Sequence, residues 1–226
     1  MKTFLVTGAD RGIGEAMAIE IVRRGDVAIA SCLGDAPALR ERGIRVEAGI
    51  DVTSDAAVAA LRERLAGVSL DVLVNVAGVH AGGDFPAIDL EGCRREYEVN
   101  ALGPLRVTQA LLPLIARGGK VGVVTSRVGS LGENLSGGHY GYRMSKAAAN
   151  MLGVCLALDL KKRDIAVVCL HPGSVRTEMT RGIANAVAGP FVEPIESARG
   201  LLARIDELTL ETTGRFRHAN GETLPW

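Results

Sequence analysis

Two side chains one helical turn apart are the first candidates for chemistry, the phenol and ammonium of Tyr142-Arg143-Met144-Ser145-Lys146. Residues i and i+4 share a helix face, so both groups point into one space. A free phenol ionises near pH ~10. A cation within a few ångströms favours the phenolate and is expected to bring that value down. Such a tyrosine can give a proton to an alkoxide or take one from an alcohol. The same spacing also occurs on solvated helix surfaces, so the pair needs support from elsewhere in the chain.

That support comes from Thr7-Gly8-Ala9-Asp10-Arg11-Gly12-Ile13-Gly14, which follows a β-branched run and opens an Ala-rich segment. Glycines there let the chain turn sharply and bring backbone N–H groups against a pyrophosphate, with the positive end of a helix behind them. The spacing is G-x-x-x-G-x-G, and the sterics of a tight strand–helix turn call for glycine as well.

The elements that must position these groups alternate along the chain. Strands are expected at Phe4–Thr7, Val27–Ser31, Arg45–Ala48, Val72–Asn75, Val121–Thr125, Ile165–Leu170 and Arg215–Arg217. Helical patterns cover Gly12–Arg24, Asp35–Arg42, Ser54–Ala66, Leu90–Ala116 with a break at Gly103-Pro104, Tyr140–Lys162 and Pro194–Leu208. Alternation of this kind predicts an α/β chain, one doubly wound parallel sheet of Rossmann type with helices on both faces. No composition break, repeat or low-complexity linker divides it, so residues 1–226 are read as a single domain. Ligands of such sheets sit beyond the carboxyl ends of the strands, which directs attention to the loops that follow them.

Composition narrows the function. Lys and Arg total 26 and Asp and Glu total 26, a formal net charge of zero. A nucleic-acid partner calls for a basic surplus, and none is expected. Cys32, Cys93, Cys155 and Cys169 lie far apart and read as reduced thiols, neither a disulfide frame nor a metal site. His139 and His171 flank candidate loops without further ligands grouped nearby, so no metal is expected. His80 either touches substrate or is a solvated loop histidine. The apolar stretch Ala101–Ala116 carries Arg106, Thr108 and Gln109 and is too short to span a bilayer. A cytoplasmic location is expected.

Taken together, Thr7–Gly14, Asp51-Val52, Asn75-Val76-Ala77-Gly78, Asn100, Ser126, Tyr142-x-x-x-Lys146 and Pro172-Gly173 resemble the short-chain dehydrogenase/reductase family over essentially the whole chain. The stretch Ser136–Asn150 and the ending Gly214–Trp226 are similar to its C-factor-like and sniffer-like carbonyl reductase branch. The resemblance implies a hydride exchange between NAD(P)(H) and a carbonyl or alcohol, with Tyr142 exchanging the proton. Lys146 would bind the nicotinamide ribose and bias the tyrosine. Ser126 would donate to the substrate oxygen, and Asn100 would hold a water beside Lys146. The cofactor would lie along Gly8, Arg11, Gly12, Ile13 and Gly14. Asp51 and Val52 would meet the adenine, Asn75, Ala77 and Gly78 the ribose, and Pro172, Gly173, Val175 and Thr177 the nicotinamide. Structural roles compete for Asp51, as a cap for the Ser54 helix, and for Asn75, as a bridge between elements.

Three departures bear on this reading. Val76 replaces a common second Asn. The segment between Ser126 and Tyr142 is long, so Ser130, Ser136 and Ser145 rival Ser126, which is preferred because it directly follows the fifth strand. Ser31-Cys32-Leu33-Gly34-Asp35 carries neither the acid that marks NAD nor the arginine that marks NADP. Asp35 could serve as the acid or cap a helix, and Arg11 could meet a 2′-phosphate, which tips the expectation to NADP over NAD. The stretch Val175–Glu193 could form a lid through Met179, Ile183, Val187 and Phe191 or an ordinary amphipathic helix. Pairing of Ala101–Ala116 and Ala147–Leu160 across a two-fold axis would make a homodimer. An NAD(P)-binding regulatory protein with little turnover is the alternative reading, and an extended sugar-nucleotide epimerase is a third.

Overall fold

The computed structural model describes residues 1–81, 83–181 and 190–226. Strand β1 (Thr3–Thr7) is extended because its β-branched and aromatic side chains alternate across two buried faces: Phe4 and Val6 enter one core layer and Leu5 the other. The same logic builds β2 (Val27–Ser31), β3 (Arg45–Glu47), β4 (Leu70–Asn75), β5 (Ile115–Val124), β6 (Ala166–His171) and β7 (Arg215–His218). They form one sheet in the order β3-β2-β1-β4-β5-β6-β7, with every pairing parallel.

Helices cover both faces. On one side α1 (Gly12–Arg23), α2 (Pro37–Glu41) and α8 (Pro194–Glu207) bury Met17, Ile21, Leu39, Leu201 and Ile205 against Phe4, Val6, Val74 and Leu170. On the other, α3 (Asp55–Arg64), α5 (Gly103–Leu111) and α6 (Tyr140–Leu160) bury Val58, Leu61, Val107, Leu111, Ala149 and Ala157 against Leu5, Leu73, Val123 and Val167. Helix α4 (Leu90–Tyr97) leads into α5, and the short α7 (Glu178–Arg181) follows β6. The strand order reverses between β1 and β4, so the chains leaving those strands part and open a crevice at their carboxyl ends.

One expected element is corrected. The segment Leu90–Ala116 is not a single broken helix. After α4 the chain makes a π-helical turn, Glu98–Leu102, and continues into α5, where Pro104 sits in the first turn and needs no N–H. Helix ends at Leu111, a 3₁₀ turn spans Leu112–Leu114, and Ile115 already pairs with Leu70 in the sheet. A register shift follows, with Gly118 at φ +79°, before the pairing resumes at Val72–Lys120. Burial of Ile115 beside Leu70 wins over the helix propensity of an Ala/Leu run. Asp35 also departs from expectation: Ala36 is the cap of α2, and Asp35 accepts from Arg40 Nε at 3.0 Å instead.

Candidate active site

The glycine turn is shaped for close approach. Gly8 has φ +62°, and a Cβ placed on it would stand 2.7 Å from Ala77 Cα. The loops after β1 and β4 are held there by the Thr7 hydroxyl, which accepts from Val76 N at 3.0 Å and Ala77 N at 3.1 Å. Gly12 has φ +59° and faces the Thr177 methyl, which brings the loop after β6 against the turn. The cap residue of α1, Arg11, offers no side-chain acceptor to the first-turn N–H groups. This bare, glycine-lined helix start fits a pyrophosphate, and a dinucleotide running across the crevice fits the turn.

At the carboxyl end of β5, Ser126 caps the 3₁₀ turn Arg127–Gly129, its Oγ accepting from Val128 N at 3.4 Å, and the same hydroxyl is near enough to Tyr142 to favour ionisation of the phenol. Tyr142 and Lys146 lie one turn apart near the start of α6, with Lys146 Nζ 5.6 Å from the phenol ring centre. That ammonium donates to Val124 O at 3.1 Å and is buried. Gly129 lets the turn press on α6: a Cβ there would lie 2.8 Å from Ala147 N. Asn100 is turned inward by the π-helical turn, as extra-residue turns do at functional sites. Its Oδ1 accepts from Val79 N at 2.8 Å, and its Nδ2 donates to Val79 O and to Ser145 Oγ at 2.9 and 3.0 Å. Both amide hydrogens are thereby used within the protein.

The four candidate serines differ in their partners. Ser130 is buried with its Oγ accepting from Glu133 N at 3.2 Å, Ser136 accepts from Arg143 Nη2 at 2.8 Å, and Ser145 donates to Tyr142 O within α6. Ser126 is the serine beside the phenol.

The expected lowering of the phenol is corrected. Desolvation pushes the Tyr142 phenol up to about 12, opposed by the nearby Ser126 hydroxyl and reinforced by the Glu96 carboxylate. Lys146, also desolvated, falls to about 8. Its ammonium is engaged by a backbone carbonyl, and burial of both groups outweighs their mutual attraction. At neutral pH the tyrosine is therefore a held acid, with its proton in place.

The remaining candidates divide. Gly78 stands between Asn100 Oδ1 and Lys146 Nζ, 3.1 and 3.5 Å from the position of a Cβ. Asn75 is buried and donates to Thr108 Oγ1 at 3.1 Å, so its amide forms the bridge between β4 and α5. Asp51 Oδ1 accepts from Thr53 N and Oγ1 at 2.9 and 2.8 Å, while Ser54 itself caps α3. Val52 is buried against Gly103. Beyond β6, the Pro172 carbonyl accepts from Ser197 Oγ at 2.8 Å, Gly173 turns with φ +84°, and Val175 is buried and bridges to Val192. Arg11 pairs with Glu178 at 3.1 Å, both exposed. Of the expected lid residues, Ile183 and Val187 lie outside the described residues, and Phe191 lies under the Arg176 guanidinium.

One feature escaped the sequence. Glu96 is wholly buried, accepts from Ala81 N at 2.8 Å and acts on Tyr142, yet nothing in its polar helix marks it. His80 is half-buried with its ring against Tyr142, so the solvated-loop reading is set aside. Its place four residues beyond Val76 in the loop after β4 was the available signal.

Known proteins resemble this chain along its whole length. A short chain dehydrogenase family model matches residues 2–188. A 1-hydroxy-2-glutathionyl-2-methyl-3-butene dehydrogenase of Rhodococcus sp. (strain AD45) is 47% identical and spans 100% of both chains. C-signal of Myxococcus xanthus is 44% identical over 70% of this chain and 93% of its own. The crystal structure of NADPH-bound carbonyl reductase from chicken fatty liver superposes with a TM-score of 0.88 at 28% identity, covering 100% of this chain and 99% of that one. The chain belongs to the short-chain dehydrogenase family, in the branch of C-signal and the carbonyl reductases. It is an NAD(P)-dependent oxidoreductase. Among the described residues no helix is long and apolar enough to cross a membrane, and no cluster of His, Cys, Asp and Glu could hold a metal ion.

Proposed function

We propose that this enzyme interconverts a carbonyl compound and its alcohol with NADP(H), Tyr142 exchanging the proton with the substrate oxygen. The observation that carries the reading is the placement of Lys146 Nζ 5.6 Å from the Tyr142 ring centre, with the Ser126 hydroxyl acting on the same phenol, at the carboxyl end of β5. The nicotinamide, when bound, supplies or accepts the hydride. The protein's own part is positioning and proton control. Ser126 donates to the substrate oxygen as negative charge builds there. Tyr142 gives its proton in reduction, and the Lys146 ammonium steadies the phenolate left behind. With both Asn100 amide hydrogens spent, a water beside Lys146 is held through an oxygen acceptor.

Gly8, Arg11, Gly12, Ile13 and Gly14 take the pyrophosphate side, and Asp51 with Val52 the adenine. Ala77 and Gly78 border the ribose next to Lys146. Pro172, Gly173, Val175 and Thr177 form the nicotinamide wall. The NADP preference rests on Arg11 at the turn and on Leu33 and Gly34, which put no carboxylate in the first positions after Cys32. The NADPH in the chicken enzyme's structure supports it. Four free cysteines suit a cytoplasmic setting. Exposed apolar side chains on α5 and α6 support a homodimer. A sensor with little turnover has no use for an acid beside the reactive ring.

Stopped-flow mixing of the NADPH-loaded enzyme with a panel of aldehydes and ketones tests the reading. Consumption of NADPH is expected. Tight NADPH binding with no turnover of any member would replace the enzyme with the sensor.

A further inference from the structure

Three rings meet beside the reacting oxygen's place. His80, on the loop after β4, stands edge-on to Tyr142 with ring centres 4.8 Å apart and an interplanar angle of 64°. His139, immediately before α6, meets the other side of His80 at 5.1 Å and 61°. Both histidines are half-buried. His139 is held in the left-handed region at φ 49°, and its backbone N–H donates to Asp84 Oδ1 at 2.5 Å, tying the loop after β4 to the loop that precedes α6. Among the described residues neither imidazole ring has a hydrogen-bond partner, and no metal-binding group forms there.

We propose that His80 and His139 are the specificity wall of the site, hydrogen-bonding a polar substituent on the carbon next to the one that reacts. The inference rests on the carbonyl–alcohol reading above. A substrate held at Ser126 and Tyr142 must extend past the ring that His80 touches. A hydrocarbon chain laid there would cover imidazole nitrogens without partners, whereas a hydroxyl, amide or carboxylate oxygen satisfies them. Desolvation lowers the His80 pKa, with the His139 charge adding and Asp84 opposing, so at neutral pH His80 offers one donor and one acceptor. The preferred substrates are α-substituted carbonyls, or alcohols bearing a hydrogen-bonding group on the neighbouring carbon.

The test compares isosteric ketones that differ in one hydroxyl, hydroxyacetone against butanone and 2-hydroxyacetophenone against propiophenone, under saturating NADPH. The readout is the ratio of kcat/KM within each pair, for the native enzyme, His80→Phe, His139→Phe and His80→Asn. The native enzyme is expected to favour the hydroxy ketones by about tenfold or more, mostly in KM. His80→Phe keeps a ring on Tyr142 and is expected to collapse the ratio towards unity, while His80→Asn keeps a donor and recovers part of it. A native ratio near unity, or a His80→Phe that lowers both members alike, would overturn the proposal and leave the carbonyl reductase standing. Failure of the native enzyme to reduce any of the four ketones with NADPH bound would overturn both.

Discussion

Tyr142 holds its proton up to about pH 12 in this structure, and Lys146 loses its own near 8. Tyr142→Phe removes the proton donor and leaves the glycine turn untouched. Turnover is expected to fall at least about a hundredfold while NADPH affinity, read by fluorescence titration, stays close to native. Near-normal activity would remove Tyr142 from the chemistry. Lys146 yields a stability test. Its folded pKa of about 8 lies below the ordinary 10.5, so from about pH 8 to about 10.5 the unfolded chain binds a proton that the folded one has lost. The contribution of Lys146 to stability therefore rises with pH across that window, by roughly 3 kcal/mol in all. The raised Tyr142 acts in reverse, stabilising fully below about pH 10 and losing its contribution as pH climbs through about 12. Urea melts of the native protein and Lys146→Met at pH 7.5 and 9.5 are expected to show a more positive change with pH in the native protein, since Lys120, Cys32 and Cys169 titrate alike in both. Equal slopes would mean that the ammonium is not desolvated.

Among the elements, α6 carries both Tyr142 and Lys146 and is the one whose seating matters most. It packs so closely on α4 that a Cβ at Gly141 would lie 2.9 Å from Cys93 Cα and against the Glu96 carboxylate. Gly141→Ala is expected to cost about 1–3 kcal/mol in urea unfolding, since the close-packed neighbours are backbone and a buried carboxylate that cannot move aside. The same shift would displace the first turn of α6, so kcat is expected to fall with stability. An alanine variant of native stability would mean that α4 and α6 sit further apart. The π-helical turn at Glu98–Leu102 belongs to this assembly, because it rotates Asn100 to clamp Val79 against Ser145 of α6. The Gly103-Pro104 pair marks this region in the sequence, where it reads as a break. That the chain stays helical through a widened turn depends on Val79 and Ser145, distant partners that no local pattern announces.

For the whole molecule, assembly turns on one surface. Met144, Met151 and Leu158 recur every seven residues on α6, a spacing that drifts only about 20° per repeat and so makes one exposed apolar stripe. Leu105 on α5 is also exposed. Light scattering is expected to give twice the chain mass for the native protein and a single chain mass for Met151→Glu. A native monomer would refute the pairing. At this scale the division between sequence and tertiary structure is also plain. The order of strands and helices, the glycine turn and the Tyr142–Lys146 pair were legible because each is local: alternation of apolar runs, φ values open to glycine, and the helix period all act within a few residues. The start of β5 at Ile115, the buried Glu96, the His80 ring on Tyr142 and the His139 ring on His80 were decided only by folding. So was the upward shift of the phenol, which the i,i+4 ammonium alone would have lowered. Desolvation and pairing depend on groups tens of residues apart, and their balance exists only once the loops after β4 and β5 close over the start of α6.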